Sequence, residues 1–210
     1  MDLVLNEDEV RIIGSLIEKE LTTPEYYPLS LNALTNACNQ KSNRNPVVSY
    51  DEPTVESGLK SLAEKGLVKE VHAGSRVTKY THSLLDLFDL SSQEISILCE
   101  MMLRGPQTAG ELRTRADRMA KFENLEEAEK ILLSLIEHAP PLIIKLPRET
   151  GRKESRYMHL LSGMPLEKSG VEAAAETSEE KILRLEEEVT QLRAELEELK
   201  QTFEKFRSQF

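Results

Sequence analysis

The sequence predicts a mainly α-helical protein with small β-hairpins, an α+β chain that uses one unit of three helices and a hairpin twice before a long heptad-patterned helix. Three observations carry this reading. A helix cap followed by apolar residues at helical spacing occurs at Asn6 and returns at Ser91. Each copy closes on a short apolar strand, a turn and a returning strand, and the returning strands share a base-Tyr-x-His pattern. The composition agrees: 30% of residues are charged, 5% are aromatic and there is no Trp, which suits a helix-rich protein better than a β-sandwich.

Asn6 with Glu9 three residues on is the reciprocal capping arrangement, and Val10, Ile13, Leu16, Ile17 and Leu21 recur behind it at helical spacing. Ser91 with Glu94 repeats the cap, and Ile95, Leu98, Met101 and Met102 repeat the stripe. Second helices follow over about 30–40 and 108–119. Third helices open at Asp51, with Val55, Leu59 and Leu62 inward, and at Asn124, with Ala128, Leu132 and Leu135 inward. Gly66 ends one third helix and Pro140-Pro141 the other. Strands 67–71 and 142–146 then lead through turns to returning strands 76–82 and 153–159, where Tyr80-Thr81-His82 aligns with Tyr157-Met158-His159. Three helices and a two-stranded hairpin, twice over, read as tandem winged helix-turn-helix domains over 1–83 and 84–163. The apolar connection 83–90 is short, so the two copies pack together. Gly163 and Pro165 close the folded region, and 164–180 is a linker.

From Lys181 the residues Ile182, Leu185, Val189, Leu192, Leu196, Leu199, Phe203, Phe206 and Phe210 alternate at steps of three and four, an a/d seam of 3.5-residue period. In a parallel pair the g–e′ contacts are Lys181 with Glu186, Glu188 with Arg193 and Glu195 with Lys200, each of opposite sign. β-branched Ile182 and Val189 at a with Leu at d favour two strands. The expectation is a parallel coiled-coil homodimer over 181–210, roughly 43 Å long at the rise of an α-helix. The other reading is a single amphipathic helix folded back on its own chain.

The formal charge of −10 counts against indiscriminate nucleic-acid binding, although it leaves room for a local basic patch. Eleven acids and six bases from Val171 onward give the tail half of that charge. Cys38 and Cys99 stand alone in helical patterns, as buried thiols in a reducing compartment do. No CxxC occurs, the four histidines are scattered, and no stretch approaches a membrane span. A cytoplasmic protein with no metal, no cofactor and no membrane association is expected. No nucleophile–base spacing or glycine-rich phosphate loop appears, so no catalytic residues and no enzyme are expected.

Several stretches resemble the YceH-like family of bacterial proteins. They are Thr22-Thr23-Pro24-Glu25-Tyr26-Tyr27-Pro28-Leu29-Ser30, Ala37-Cys38-Asn39-Gln40-Lys41-Ser42-Asn43-Arg44-Asn45-Pro46, Arg104-Gly105-Pro106-Gln107-Thr108 through Arg113, and Arg156-Tyr157-Met158-His159-Leu160. The resemblance covers about 4–163 and implies the same tandem winged-helix fold. It implies little about activity and carries over no catalytic residue.

In winged helices that bind DNA, the third helix enters the major groove and the wing touches phosphate. Here the outer sides of the third helices carry Glu52, Glu56, Ser57, Lys60 and Lys65 in one copy, and Glu123, Glu126, Glu127, Glu129 and Lys130 in the other. Those acids would face phosphates. The bases gather elsewhere: Lys41 and Arg44 after the second helix, Arg76 and Lys79 on the first hairpin, Arg113, Arg115, Arg118 and Lys121 along the later second helix, and Arg148, Arg152, Lys153 and Arg156 on its hairpin. They form a candidate phosphate-contacting strip, doubled in a dimer, or a solvated set paired with Glu111, Asp117, Glu149 and Glu154. Asn39 and Gln40 could read adenine edges or build the loop; Asn43 and Asn45 favour the loop. Tyr26 and Tyr27 favour covering the core. The function expected first is a DNA-binding, regulator-like dimer that contacts phosphates through its basic wing and second-helix residues. The alternative is a protein-interaction scaffold similar to the acidic winged-helix subunits of chromosome-condensation complexes.

Overall fold

The computed structural model of the chain describes residues 4–72, 77–148, 151 and 154–164. Within them lies a mixed α+β fold. The first repeat runs α1 (Glu7–Thr22), a 3-10 turn (Pro24–Tyr26), β1 (Leu29–Ser30), α2 (Leu31–Cys38), α3 (Glu52–Glu64), β2 (Val68–Val71) and β3 (Lys79–His82). A short helix, α4 (Leu84–Phe88), connects it to α5 (Ser92–Arg104), α6 (Ala109–Ala116), α7 (Leu125–Glu137), β4 (Ile143–Lys145) and β5 (Tyr157–His159).

The caps fall where the sequence puts them. Asn6 with Glu9 and Ser91 with Glu94 form reciprocal capping boxes, and so does Thr108 with Glu111. Ser30, Asp51 and Asn124 cap α2, α3 and α7 through their side-chain oxygens. At the other end of α3, Gly66 takes φ +74°, a conformation that suits glycine, and releases the chain into β2. The expected bounds need trimming: α2 stops at Cys38 and α6 at Ala116, and the returning strands begin at Lys79 and Tyr157.

Two elements go beyond the sequence expectation. β1, two residues long, pairs antiparallel with β3 and makes a three-stranded sheet of order β1-β3-β2. In the second repeat its counterpart is a single bridge, Gln107 with Tyr157, beside the two-stranded sheet β4-β5. The other is α4, in the connection whose apolar residues were expected only to hold the repeats together; Leu84 is fully buried there.

The described residues of both repeats share one compact unit. Helix α1 packs on α3 with one face and on α5 with the other. That is why Ile12 is as buried as Ile13, Leu16 and Ile17, and why α5 buries Ile97 and Leu103 beside Ile95, Leu98, Met101 and Met102. Each such side chain contributes ~1.5–3 kcal/mol by leaving water. The two central helices approach closely at Gly14, where a Cβ would lie 2.9 Å from Leu103 Cδ2 and 3.1 Å from Met102 Cβ. Beside it the Cys99 thiol donates to the Gly14 carbonyl at 3.3 Å. Gly14 and Cys99 are 85 positions apart, the same separation as the caps Asn6 and Ser91, so the two copies meet through equivalent points. Among the described residues no helix is long and apolar enough to cross a membrane.

Candidate functional site

Where α1 meets α5, most of the acids and arginines at that end are drawn inward into one network. Glu18 on α1 is buried, its side chain 1% exposed, and it receives Arg44 in a forked pair, Nη2 to Oε2 at 2.6 Å and Nη1 to Oε1 at 3.0 Å. Arg44 also donates to the carbonyls of Ala37 and Asn43. From the second repeat, Arg118 donates to Glu18 Oε1 at 2.7 Å and to Glu100 Oε1 at 2.8 Å. Glu100 Oε2 lies 3.1 Å from Arg104 Nε, an ion pair by distance whose angle makes no directed hydrogen bond. Arg104 reaches back to Asn43 Oδ1 in the first repeat. Burial alone would raise the Glu18 pKa; the Arg44 hydrogen bonds and charge, with those of Arg118, outweigh it and bring it down to about 2.

This network corrects the phosphate-contacting set. Arg44 has a side chain with no exposed surface and is withdrawn from it. Arg118 keeps 32% exposure but spends its hydrogen bonds on Glu18 and Glu100. Arg115 donates to Gln107 at 2.6 Å and to Glu111 at 3.3 Å. Asn39 gives both ends of its amide to the Tyr50 backbone, and Gln40 accepts from Lys19, so both build the α2–α3 loop. Asn43, at φ +58°, and Asn45, whose N–H donates to the Leu103 carbonyl, dock that loop on α5. Lys41, Arg148 and Lys121 remain at the surface, Lys121 paired with Asp117 at 2.6 Å. Arg113 and Lys79 are partly buried, and Arg156 donates to the Pro106 carbonyl. Arg76, Arg152 and Lys153 lie outside the described residues, as do Ile182, Leu185, Val189, Leu192, Leu196, Leu199, Phe203, Phe206 and the rest of the heptad seam.

The third helices turn acidic ridges outward. On α3 the exposed row at four-residue spacing is Glu52, Glu56, Lys60 and Glu64, with Lys60 paired to Glu56 at 2.9 Å. Lys65 leaves this face: its ammonium reaches Glu9 at 2.6 Å and ties the end of α3 to the start of α1. On α7 the same row reads Leu125, Glu129, Leu133 and Glu137, all exposed, with Glu126 beside it. A groove of about 540 Å³ between the start of α1 and the side of α3 is lined by Asn6, Asp8, Pro53, Thr54, Ser57, Gly58 and Ser61, with no base among them.

The paired histidines are not equivalent in chemistry. His82 Nε2 lies 2.5 Å from Glu20 Oε2, and the backbone N–H of His82 donates to the Tyr27 hydroxyl. Tyr27 thus covers the core, while Tyr26 stands out at 71% exposure. His159 is buried with Nδ1 unpartnered, and burial lowers its pKa to about 4, so it is neutral. Both thiols are buried, and burial pushes Cys38 up to about 11. Among the described residues no group of His, Cys, Asp and Glu is arranged to hold a metal ion.

Sequence reasoning missed the two acids at the centre of the network. Glu18 and Glu100 lie off the apolar stripes and read as solvent-facing. The available signal was the small residues Gly14 and Ser15 on that face of α1, which mark a helix neighbour where solvent was expected.

A two-repeat α+β protein whose acids and arginines lock the repeats together, and whose outer helices are acidic, is the class this geometry defines. The chain belongs to the family described as "Protein of unknown function, DUF480", which matches residues 5–152. It is 55% identical over 217 residues to a UPF0502 protein of Geotalea daltonii and 51% identical over 219 residues to one of Geobacter metallireducens, each comparison covering the whole of both chains. A UPF0502 protein of Koribacter versatilis is 54% identical over 167 residues, 80% of this chain and 77% of that protein.

Proposed function

We propose that this chain is a non-enzymatic tandem winged-helix module of the cytoplasm that docks another protein and pairs with a second copy of itself through a parallel coiled coil over 181–210. The winged-helix assignment is supported by the order helix, helix, helix, hairpin in each repeat and by β1, which completes the three-stranded sheet of the first. One observation carries the choice of a protein partner. The ridge that a DNA-reading winged helix lays into the major groove is acidic in both repeats, while Arg44, Arg115 and Arg118 are engaged internally. Carboxylates facing phosphates oppose binding at any register.

The second reading, a DNA-binding regulator-like dimer, keeps one specific support: Lys41, Lys121 and Arg148 are exposed in a protein of charge −10. Fluorescence anisotropy of the full chain against a random-sequence duplex, titrated from low to physiological salt, separates the two. Under the docking reading no binding develops even at low salt. Salt-sensitive micromolar binding that weakens when Lys41, Arg113, Arg148, Arg152, Lys153 and Arg156 are changed to Ala would overturn it.

A further inference from the structure

We infer that the outer face of α7 is the docking surface and that its occupant is a basic amphipathic helix of a partner protein; this rests on the protein-docking reading above. The argument begins with a position-by-position comparison. The caps Asp51 and Asn124 set α3 and α7 in register, so Glu52, Glu56, Lys60 and Glu64 correspond to Leu125, Glu129, Leu133 and Glu137. The fold treats both rows alike and leaves every member exposed. In α3 the row is charged throughout. In α7 two of the four places hold leucine, 45% and 52% exposed, although the buried face is already supplied by Ala128, Leu132 and Leu135. The fold of the first repeat shows that packing requires no apolar side chain at these positions.

The chemistry of the occupant follows from the alternation. Residues at four-residue spacing form one ridge of a helix surface, and a second helix seats its own ridge in the adjoining groove. A ridge reading Leu-Glu-Leu-Glu presents an apolar contact and an acid in turn, over roughly 18 Å from first to last. Glu126, one residue on from Leu125, adds a further exposed carboxylate, and Lys130 is the exposed base of the same helix. The complementary surface is a helix of about three turns whose row alternates an aliphatic side chain with Lys or Arg. The short α4 extends the same character. Phe88 stacks edge-on with His138 at 6.0 Å and its carbonyl lies 3.0 Å from His138 Nε2, fixing α4 at the end of α7 with Asp86, Leu87 and Asp89 exposed.

The test uses two labelled helical peptides of equal length, one alternating Leu with Lys along one row and one alternating Leu with Glu, each titrated into the full chain. The basic peptide is expected to bind with an affinity that falls as salt rises, and the acidic one to bind at least tenfold more weakly. Leu133→Lys, at an exposed position that the fold does not need, should weaken the basic peptide by tenfold or more, and Leu125→Lys similarly. Glu56→Lys on α3 should leave it unchanged. The joint substitution Glu52→Leu and Lys60→Leu builds the same ridge on α3 and should raise the stoichiometry from one peptide per chain to two. Equal binding of both peptides, or full affinity in the Leu125→Lys, Leu133→Lys double variant, would sink the proposal. A photo-crosslinking residue at position 133 or at position 60 in living cells tells this failure from failure of the docking reading. Protein adducts at 60 and not at 133 remove α7 but keep docking. Adducts at neither, together with salt-sensitive duplex binding, remove both.

Discussion

Glu18 and Arg118, 100 positions apart in the chain, meet at 2.7 Å across the junction of the two repeats. The same carboxylate holds the buried Arg44, so one acid pairs with a guanidinium from each copy, and Glu100 supplies the second negative charge beside Arg118. Removing it leaves Arg44 charged and buried. Glu18→Gln should destabilise the fold by ~3–5 kcal/mol, read as a lower urea midpoint, whereas Glu18→Leu combined with Arg44→Met should recover much of the loss because no charge is then stranded.

The same pair sets an acid limit. The folded pKa of Glu18 lies at about 2, below its ordinary 4.5, because Arg44 and Arg118 outweigh the cost of burial. Its contribution, ~3 kcal/mol, is therefore complete above pH 4.5 and is lost as the pH falls toward 2. Urea unfolding of the Glu18→Gln variant at pH 6, 4 and 3 should show a deficit that shrinks with each step; a deficit independent of pH would detach this carboxylate from acid stability.

His159 works over a higher window. Burial holds its folded pKa at about 4, below the ordinary 6.5, so the unfolded chain takes up a proton that the folded one refuses. Stability is whole above pH 6.5 and declines by ~3 kcal/mol as the pH falls toward 4. Since Nδ1 has no partner to lose, His159→Phe should flatten the curve between pH 6.5 and 4.5 at little cost at pH 7.

Gly14 tests the contact between α1 and α5. A Cβ there would meet Met102 Cβ at 3.1 Å, an atom fixed to its backbone, as well as Leu103 Cδ2. Gly14→Val should cost ~1–3 kcal/mol by overpacking, seen as a lower melting temperature. Gly58→Ala, whose new methyl meets the terminal Cδ1 of Ile12, should cost less, since that end can rotate away.

Cys38 and Cys99 should resist iodoacetamide at pH 8 in the native protein, because burial raises both thiol pKa values and covers both sulfurs. Labelling should appear with the urea transition, and rapid labelling of the folded chain would contradict the packing at Gly14.

If the heptad-patterned tail pairs two copies, as proposed, the chain should be dimeric by light scattering and lose that dimer when 181–210 is deleted. A truncated chain that stays dimeric would move self-association to the repeats.

The caps were the most legible part of the fold. Asn6, Ser30, Asp51, Ser91, Thr108 and Asn124 each begin a helix because a side-chain oxygen there satisfies a backbone N–H whatever the tertiary setting. The short β1 escaped notice because Leu29-Ser30 has no pattern of its own and exists through its pairing with Tyr80 and Lys79. The candidate site was legible in its acids on α3 and α7 but not in its bases. Arg44 follows a helix amid polar residues, where a solvated base is the ordinary expectation, and only the fold brings Glu18 to it.

The meeting of Gly14 with Cys99 has a consequence for stoichiometry. Two identical subunits related by a twofold axis touch through the same residue on each side, as the two copies here touch at one repeat position within a single chain. Joined covalently, such an interface survives any dilution, and its halves are free to diverge: one third helix can stay fully charged while the other acquires leucines. A chain built this way is already a pair before it finds a second copy, so dimerisation through the tail would assemble four repeats but only two α7 ridges.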